Sequence, residues 1–586
     1  MKPARDEAVR LLARATGLPA TQVEGLLGEA AVERGEFAFP CFPLAKERRQ
    51  APPQVAAEVA SKVLAAREAG SLLADARAEG PYVNLRVDRR ALAERTLAAV
   101  QAAGPAYGTT PDPAAGTVVI DYSSPNVAKP LAFHHLRSTM IGNSLVRLYR
   151  AGGWKVEGIN HLGDWGTGFG KLLLAWELYG ATLDLATLDV EGLNGLYVRV
   201  NADIKAEEKQ GSDALESRAR AWFKRLEDGD GEARRLWTRF VELSLAEFEK
   251  VYRLLGVRFE HVWGESYYED KMPALVAALQ RAGLLVTSEG AEVVMLEEAG
   301  LPPCLIRKQD GASLYATRDL AAALYRHDTL GSTRTLYVID RGQAVHVQQF
   351  RLVLEKLGHG WAQGLVHVPF GVVRMGGKKT ATRTGSIVLL TDVLDAAIAK
   401  VRELMAAKNP GLSAEDPARA EATAQAVGIG AVVFNDLKNF RENDIDFDLD
   451  AITSFEGKTG PYAMYSHARA CSILARARGE GWDGRPGDPV LLAHDLEHAL
   501  VRLVASLPLR VAAARAGNDP SLVAKHLLDL CEAFHAYHTA GGRDRALRVL
   551  CDEPALRAAR LGLCDAVRQA MASALALLGI AAPEQM

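Results

Sequence analysis

Strand-like and helix-like patterns of hydrophobic residues alternate through the middle of the chain. A short apolar run at 118–120 is followed by residues 136–148, whose apolar positions recur at helical spacing, and then by a strand-like run at 154–160. Further strand-like runs occur at 335–340 and 365–369. Strands that alternate with helices typically form a parallel sheet with helices on both faces, so the pattern predicts a doubly wound, Rossmann-like sheet domain.

The pattern of hydrophobic positions divides the chain into three parts and predicts a multidomain α/β protein. Residues 1–112 combine an amphipathic helix with an alternating strand and are expected to form a small N-terminal α+β domain. The sheet domain is expected to span 113–400, with a charged helical hairpin inserted around 200–260. Residues 401–586 are expected to form an all-α domain. Its helical segments are 402–408, 418–434, 460–478, 490–517, 521–539 and 554–579.

Composition narrows the class of protein only slightly. The 586 residues carry a net charge of −3, so a nucleic-acid partner would need local basic faces. None of the six cysteines forms a C-x-x-C pair, and we therefore expect no structural zinc. The N-terminus is charged, and no apolar run approaches the ~18 residues of a membrane span. We expect a soluble, cytoplasmic protein without a membrane partner.

The loop after the first strand carries the richest chemistry. Residues 121–138 include Lys129, His134, His135 and Arg137, and they lead into the predicted helix at 136–148. A helix N-terminus offers free N–H groups and a partial positive charge, which suits a phosphate. Imidazoles and cations add donors for charge that grows on an α-phosphate during nucleotidyl transfer.

At these residues the chain resembles a known family. Residues 124–130 (SPNVAKP), followed by 135–138 (HLRS), are similar to the signature region of arginyl-tRNA synthetases of the bacterial type, which are class I enzymes. Three later blocks resemble the same family in the same order, and the resemblance runs from about residue 80 to the end of the chain. These blocks are 160–170 (NHLGDWGTGFG), 315–319 (YATRD) and 459–469 (TGPYAMYSHAR).

The resemblance implies ATP-dependent ligation of arginine to its tRNA. Arginyl-adenylate would form first, with release of pyrophosphate, and the 2′-hydroxyl of the terminal adenosine of tRNA would then displace AMP. The family's substrates are arginine, tRNA and ATP with Mg²⁺, and tRNA must be bound before activation proceeds well. The resemblance also implies a catalytic sheet domain, an N-terminal domain that binds the D-loop and a C-terminal domain that binds the anticodon. We expect the chain to act as a monomer.

Two signatures would hold ATP, and both depart from the class I pattern. In the first, of the form His-x-Gly-His, Ala132 and His134 replace the first histidine and the glycine. In the second, at 378–385 (KKTATRTG), Thr382 stands where the final lysine is usual. The expected catalytic residues are Lys129, His135, Lys379 and Arg383. The expected ATP-binding residues are Lys129, His134, His135, Lys378 and Lys379.

A bound arginine needs planar acceptors for its guanidinium group, which carboxylates, phenols and amides supply. The expected arginine-binding residues, at positions that match the family's pocket, are Asp121, Ser123, Asn126, His161, Tyr315, Asp319 and Gln343. Asp164 has a plain structural alternative, the cap of the following helix. Unstacked RNA bases are read by stacking and hydrogen bonds. The expected tRNA-binding residues are Tyr82, Asn84, Tyr465, Arg469 and Met586.

Two other functions remain open from the sequence. One is a different class I ATP-dependent ligase or nucleotidylyltransferase, against which the acidic pocket and the helical C-terminal domain argue. The other is a non-catalytic tRNA-binding relative, suggested by Ala132, His134 and Thr382. The intact Lys129 and His135 argue against that second alternative.

Overall fold

The computed structural model describes residues 1–586 except 31–33, 309–314, 376–377, 380–387 and 409–415, and except the side chains of Lys378, Lys379 and Lys408.

The N-terminal part is a small α+β unit, as the alternating pattern predicts. Its four strands form a sheet of order β1-β2-β4-β3, in which neighbouring strands are antiparallel. The helices are α1 (Lys2–Thr16), α2 (Ala20–Leu26), α3 (Phe42–Arg48), α4 (Pro52–Ala65) and α5 (Arg89–Ala103). The strands are β1 (Gly28–Glu29), β2 (Phe37–Pro40), β3 (Leu73–Glu79) and β4 (Tyr82–Val87).

A parallel five-stranded sheet lies at the centre, in the order β12-β11-β5-β6-β7. Two smaller sheets accompany it, β10-β9-β8 and β14-β13-β15. The strands are β5 (Thr117–Asp121), β6 (Lys155–Asn160), β7 (His261–Val262), β8 (Leu285–Ser288), β9 (Ala291–Val294), β10 (Cys304–Arg307), β11 (Arg334–Tyr337), β12 (Leu365–His367), β13 (Val373–Met375), β14 (Lys378–Lys379) and β15 (Ile445–Phe447). The predicted doubly wound sheet is thus confirmed.

The helices of this central region cover the sheet and form an insertion between β6 and β7. Four helices, α7 to α10, lie between these two strands, and the last three, which begin at Val190, exceed the expected hairpin. Leu193 and Phe240 are among their buried residues. The helices are α6 (His135–Ala151), α7 (Thr167–Tyr179), α8 (Val190–Glu208), α9 (Ala214–Glu227), α10 (Gly231–Leu255), α11 (Met272–Arg281), α12 (Tyr315–Leu330), α13 (Ala344–Lys356) and α14 (Leu390–Lys408).

The C-terminal part is helical, as its periodicity predicts. The helices are α15 (Pro417–Leu437), α16 (Leu449–Thr453), α17 (Gly460–Gly479), α18 (Asp495–Ala516), α19 (Ser521–Arg543) and α20 (Pro554–Leu577). Within the described ranges, no helix has the length and apolar character needed to cross a membrane.

Helix α6 joins the sheet to the helical part, and most of its residues are buried. Arg137 on α6 donates from Nε to Asp436 Oδ1 on α15 at 2.8 Å, and both side chains are 1% exposed. The same guanidinium donates to the carbonyls of Asn443 and Arg441. Breaking a buried pair leaves an uncompensated charge, so this contact fixes how α15 sits on α6.

Candidate active site

The loop after β5 has a strained backbone. Ser123, Ser124 and Ala128 have φ values of 71°, 49° and 63°, a region that non-glycine residues rarely adopt. The loop lies at the carboxyl end of β5, the edge where open parallel sheets bind ligands. Strain of this kind persists where the surroundings enforce it, and it often accompanies function. Here the Ser123 N–H donates to Ser138 Oγ at 2.9 Å and the Ser124 N–H to Asn160 Oδ1 at 3.2 Å.

All seven residues expected to bind arginine line one cavity of about 370 Å³, together with His134 and His135. The cavity is bounded by the loop after β5, the start of α6, the start of α12 and the N-terminal end of α13. The structure therefore brings together side chains that are up to 222 positions apart, from Asp121 to Gln343.

Asp121 and Ser123 are each held by two neighbouring side chains. Asp121 accepts a hydrogen bond from Arg326 Nη1 at 2.7 Å and another from Ser124 Oγ at 2.9 Å. The Ser123 hydroxyl lies 2.8 Å from both Thr139 Oγ1 and Tyr252 OH. Asp121 thus presents a largely compensated charge to the cavity.

Of the described carboxylates in this cavity, Asp319 has the most remaining capacity to pair with a cation. Its Oδ2 accepts from His346 Nε2 at 2.6 Å, and its Oδ1 lies 3.8 Å from His161 Nε2. The ion pair with Arg318 that chain proximity suggests does not form, because Arg318 binds Glu265 instead. Tyr315, one helical turn before Asp319, begins α12 and is 52% exposed at the cavity wall.

The structure adds Glu265, which the sequence analysis missed. Glu265 is buried, lines the cavity and accepts from Arg318 Nη1 at 3.1 Å. Burial raises the pKa of its carboxyl to about 7, although the Arg318 guanidinium opposes the shift and Asp319 adds to it. A lone glutamate in an irregular segment gives no periodic signal, so only its position in space marks it. His346 on α13 and Arg326 on α12 were also missed, because a single polar residue on a helix does not show which side chain it will contact.

His135 is held as a neutral imidazole. Burial lowers its pKa to about 3, and neighbouring His134 contributes to the shift. Its Nδ1 lies 3.0 Å from the Ala132 N–H and 3.1 Å from the Ala132 carbonyl, which already accepts the His135 N–H. The tautomer that satisfies both Ala132 groups accepts at Nδ1 and carries its proton on Nε2. That proton remains available to a ligand oxygen.

His134 stands against His135, with 4.2 Å between ring centroids, and also lines the cavity. Burial lowers its pKa, and its Nδ1 finds no hydrogen-bond partner among the described residues. The imidazole that replaces the signature glycine therefore faces the site and does not swing away from it.

Lys129 lies beside this cavity, in a second one of about 1190 Å³. Its Nζ is 5.2 Å from the ring centroid of Tyr197 on α8. The two cavities are adjacent and share lining residues. The shared residues are Asn126, Gly163, Glu265 and Tyr315.

His161 and Asp164 follow β6 and contact the segment after β7. His161 Nδ1 lies 2.9 Å from the Trp263 carbonyl. Asp164 accepts from the N–H and the hydroxyl of Ser266, and burial raises its pKa. Asp164 does not cap the following helix, as its structural alternative expected, because Gly166 is the N-cap of α7. It instead holds the turn that contains Glu265.

The second signature is only partly described. Lys378 and Lys379 form β14, which pairs with β13 in an antiparallel manner. Their side chains, and all of Thr382 and Arg383, lie outside the described residues. Their expected roles toward ATP stay predictions.

Three of the residues expected to bind tRNA line one groove of about 770 Å³ on the helical part, namely Tyr465, Arg469 and Met586. Arg469 Nη2 donates to Tyr465 OH at 3.1 Å, with the guanidinium 4.8 Å from the ring centroid. Tyr465 is 37% exposed, so it is not a core aromatic.

The two N-terminal candidates differ in exposure. Tyr82 is 39% exposed and packs edge-on against the exposed Phe42. Asn84 is only 4% exposed, although it lies on the same face of β4 as the exposed Tyr82 and Arg86. In this structure Tyr82 can meet a base, whereas Asn84 would first have to become exposed.

Three family models cover most of the chain. They describe the N-terminal domain of arginyl-tRNA synthetases (residues 7–87), the class I catalytic domain of tRNA synthetases for arginine (104–449) and the DALR anticodon-binding domain (463–586). The chain belongs to the arginyl-tRNA synthetase family.

Individual relatives agree with this family. A protein of Exiguobacterium sibiricum named arginine–tRNA ligase is 44% identical over 556 residues, 94% of each chain. A Bacillus cereus protein named arginine–tRNA ligase 1 is 44% identical over 94% of each chain. The solved arginyl-tRNA synthetase of Thermus thermophilus superposes with a TM-score of 0.83 at 26% identity, over the full length of both chains. The family that the sequence blocks predict is thus confirmed.

Proposed function

We propose that the chain ligates arginine to its tRNA with ATP, through arginyl-adenylate, and that the 370 Å³ cavity is its arginine site. One observation carries the assignment: every residue expected to bind arginine faces this single cavity. A neutral imidazole and a lysine, the groups that an α-phosphate requires, lie beside it.

The guanidinium group is assigned to the wall formed by Asp319, Tyr315 and Glu265. Asp319 is near enough to raise the pKa of the Glu265 carboxyl, and a cation between the two relieves that repulsion. Two carboxylates and a phenol satisfy a planar fork of N–H donors far better than a lysine ammonium, which would leave acceptors unpaired. The amides of Asn126 and Gln343 are assigned to the amino-acid end of the substrate.

Activation needs positioning and charge stabilisation rather than covalent help from the protein. The arginine carboxylate attacks the α-phosphate of ATP, and pyrophosphate leaves with the electrons of the broken P–O bond. His135 Nε2–H is assigned to the α-phosphate oxygens, and Lys129, Lys379 and Arg383 to the phosphates of the leaving group. Magnesium arrives with ATP as part of the substrate, held mainly by phosphates and waters.

The larger cavity is assigned to the 3′ end of tRNA. It lies beside the arginine cavity and shares Asn126 and Tyr315 with it. Aromatic rings and cations from the insertion and the core line it beside carboxylates such as Glu216, Asp228 and Glu269. The rings and cations are the groups that suit single-stranded nucleotides. The lining residues used here are Trp165, Tyr197, Arg220, Phe223, Lys224 and Lys129.

The domain roles follow the same proposal. Residues 1–112 bind the D-loop through Tyr82, with Asn84 as a second contact, residues 113–400 catalyse, and residues 401–586 bind the anticodon in the groove of Tyr465. The proposal includes action as a monomer and location in the cytoplasm.

The decisive experiment is ATP–pyrophosphate exchange with a panel of amino acids, with and without tRNA for arginine. The proposal expects exchange with arginine alone among the panel and strong stimulation by tRNA. Exchange with another amino acid would indicate a different class I ligase. Absence of exchange under all conditions, with tRNA binding intact, would indicate a non-catalytic relative.

A further inference from the structure

A third cavity, of about 430 Å³, lies at the far end of α6. The residues around it come from the segment after α5, the second half of α6, the end of α10 and α20. His135 and Arg147 are 12 residues apart on α6, or about 18 Å at the rise of an α-helix, so the cavity is distinct from the active site. We call it the junction cavity.

The junction cavity is strongly basic in a protein whose net charge is −3. Arg147, Arg150 and Arg258 line it, and no acidic residue does so within the described part of the chain. Arg150 donates to Glu260 at 2.5 Å, which compensates its charge. The other two guanidinium groups make no ion pair with any described carboxylate. Arg147 donates only to the carbonyls of Ala576 and Gly256, both at 3.3 Å.

Two buried donors in this region are also unsatisfied. Asn143 is 4% exposed, and its Nδ2 has no hydrogen-bond partner among the described residues. The same holds for Arg147 Nε. Both residues line the junction cavity, and both atoms lie close to Gly579, where a Cβ atom would be 2.7 Å from Asn143 Nδ2 and 3.5 Å from Arg147 Nε. Unsatisfied buried donors cost free energy and are uncommon in native proteins.

The charge distinguishes between two occupants of the junction cavity. A water molecule, or the alternative orientation of the Asn143 amide, satisfies the donors but leaves two guanidinium charges uncompensated. Burial and the like charge of Arg150 lower the pKa of Arg147, which is the mark of a cation without a counter-ion. An oxyanion supplies acceptors and charge together, and arginine forks match phosphate oxygens.

We propose that the junction cavity binds a phosphate group, held by Arg147, Arg258 and Asn143. The group comes either from a free phosphate anion or from the backbone of bound tRNA. The site does not depend on the proposed reaction, since none of its three residues lines the arginine cavity.

The first test measures binding of inorganic phosphate to the full chain by equilibrium dialysis. The Arg258→Gln variant is suitable because Arg258 is exposed and makes no described ion pair, so folding should survive. We expect at least tenfold weaker phosphate binding in this variant. Arg253→Gln, an exposed arginine of α10 that does not line the junction cavity, is the matched control and should bind like the wild type. Lys129→Ala should also retain this binding, which separates it from phosphate bound at the ATP site.

A second variant is needed because the loss of one arginine could change phosphate binding only slightly. Asn143→Asp has nearly the same shape and places an acidic group against the ligand, so phosphate binding should be lost while the thermal unfolding midpoint confirms a folded chain. Wild-type phosphate binding in both Arg258→Gln and Asn143→Asp, or no saturable binding outside the ATP site in the wild type, overturns the proposal.

Measurement of tRNA affinity at several salt concentrations identifies the source of the phosphate. If a tRNA phosphate occupies the site, Arg258→Gln should lessen the slope of log K against log salt by about one, and phosphate should compete with tRNA. If a free anion is the ligand, the slope stays unchanged and phosphate binding still falls in the variant. Each result supports a phosphate site and assigns its source.

Discussion

Asp319→Asn tests the assignment of the guanidinium site with little change in shape. The substitution removes the carboxylate charge and places an N–H donor where the substrate also presents donors. The hydrogen bond from His346, 2.6 Å long in the wild type, can persist to the asparagine oxygen. The perturbation therefore falls on the substrate rather than on the α12–α13 packing.

The structure sets the expected size of the effect. Loss of one partner of a desolvated, hydrogen-bonded charge pair costs about 2–5 kcal/mol. The Asp319 side chain is 16% exposed and Glu265 remains beside it, so we expect the middle of that range. About 3–4 kcal/mol corresponds to a fall in kcat/KM for arginine of roughly 150- to 1000-fold.

The assay is ATP–pyrophosphate exchange at saturating tRNA, with arginine and with citrulline, whose neutral side chain carries a carbonyl. The asparagine N–H can donate to that carbonyl, so the preference for arginine should collapse in the variant. Asp328→Asn, an exposed aspartate on the same helix, is the matched control and should behave like the wild type. Wild-type arginine kinetics and selectivity in Asp319→Asn would refute the assignment.

Three further changes probe the rest of the site. Lys129→Ala should lower exchange by the roughly 2–4 kcal/mol typical of one transition-state donor while tRNA binding measured by filter retention stays intact, and near-normal exchange would contradict its role. Glu265 has a pKa of about 7, and a bound guanidinium favours its ionised form, so KM for arginine should fall as pH rises from 6 to 8. In Glu265→Gln that pH dependence should flatten, whereas an unchanged profile would assign it to another group. Tyr465→Ala should raise KM for tRNA, by an amount that corresponds to about 1–3 kcal/mol if the ring stacks on a base, and exchange should recover at saturating tRNA. Tyr462 lines the same groove, so Tyr462→Ala shows whether loss of any aromatic ring there has this effect.

The parts of the fold that the sequence predicts are those with long, regular patterns. Helix α6 shows helical spacing over most of its length, and β5 is a buried apolar run, so each is recognisable without knowledge of its neighbours. Strand β15 was missed because it has three residues and exists through pairing with β13, about 70 positions earlier. Such a strand is specified by a distant partner, which a local pattern does not contain.

The same difference between local and distant information decides which site residues the sequence predicts. Asp319 and Tyr315 were predicted because they fall in one contiguous block that resembles the family. Glu265, Arg326 and His346 lie outside the short sequence blocks quoted for the resemblance and join the site only through folding. Conversely, Asn84 carries the expected residue type and shares a face of β4 with the exposed Tyr82, but it is buried in the folded chain. Residue type is local information, whereas exposure is decided by the sheet.

The acids of the arginine cavity are not equivalent, and their partners explain why one cationic side chain fits. Arg326 compensates Asp121. Arg318 is shared between Glu265 and Glu269, which leaves Glu265 partly compensated and able to exchange a proton near neutral pH. Among the described residues, the imidazoles of His161 and His346 are the basic groups that pair with Asp319, so it holds the charge that a substrate must neutralise. A guanidinium ion between Asp319 and Glu265 favours the ionised form of Glu265. The ionised carboxylate then offers a further acceptor to the N–H donors of the substrate. A neutral side chain such as citrulline's would leave Asp319 uncompensated and Glu265 protonated, so the internal arginines, by occupying the other carboxylates, help to set the selectivity of the site.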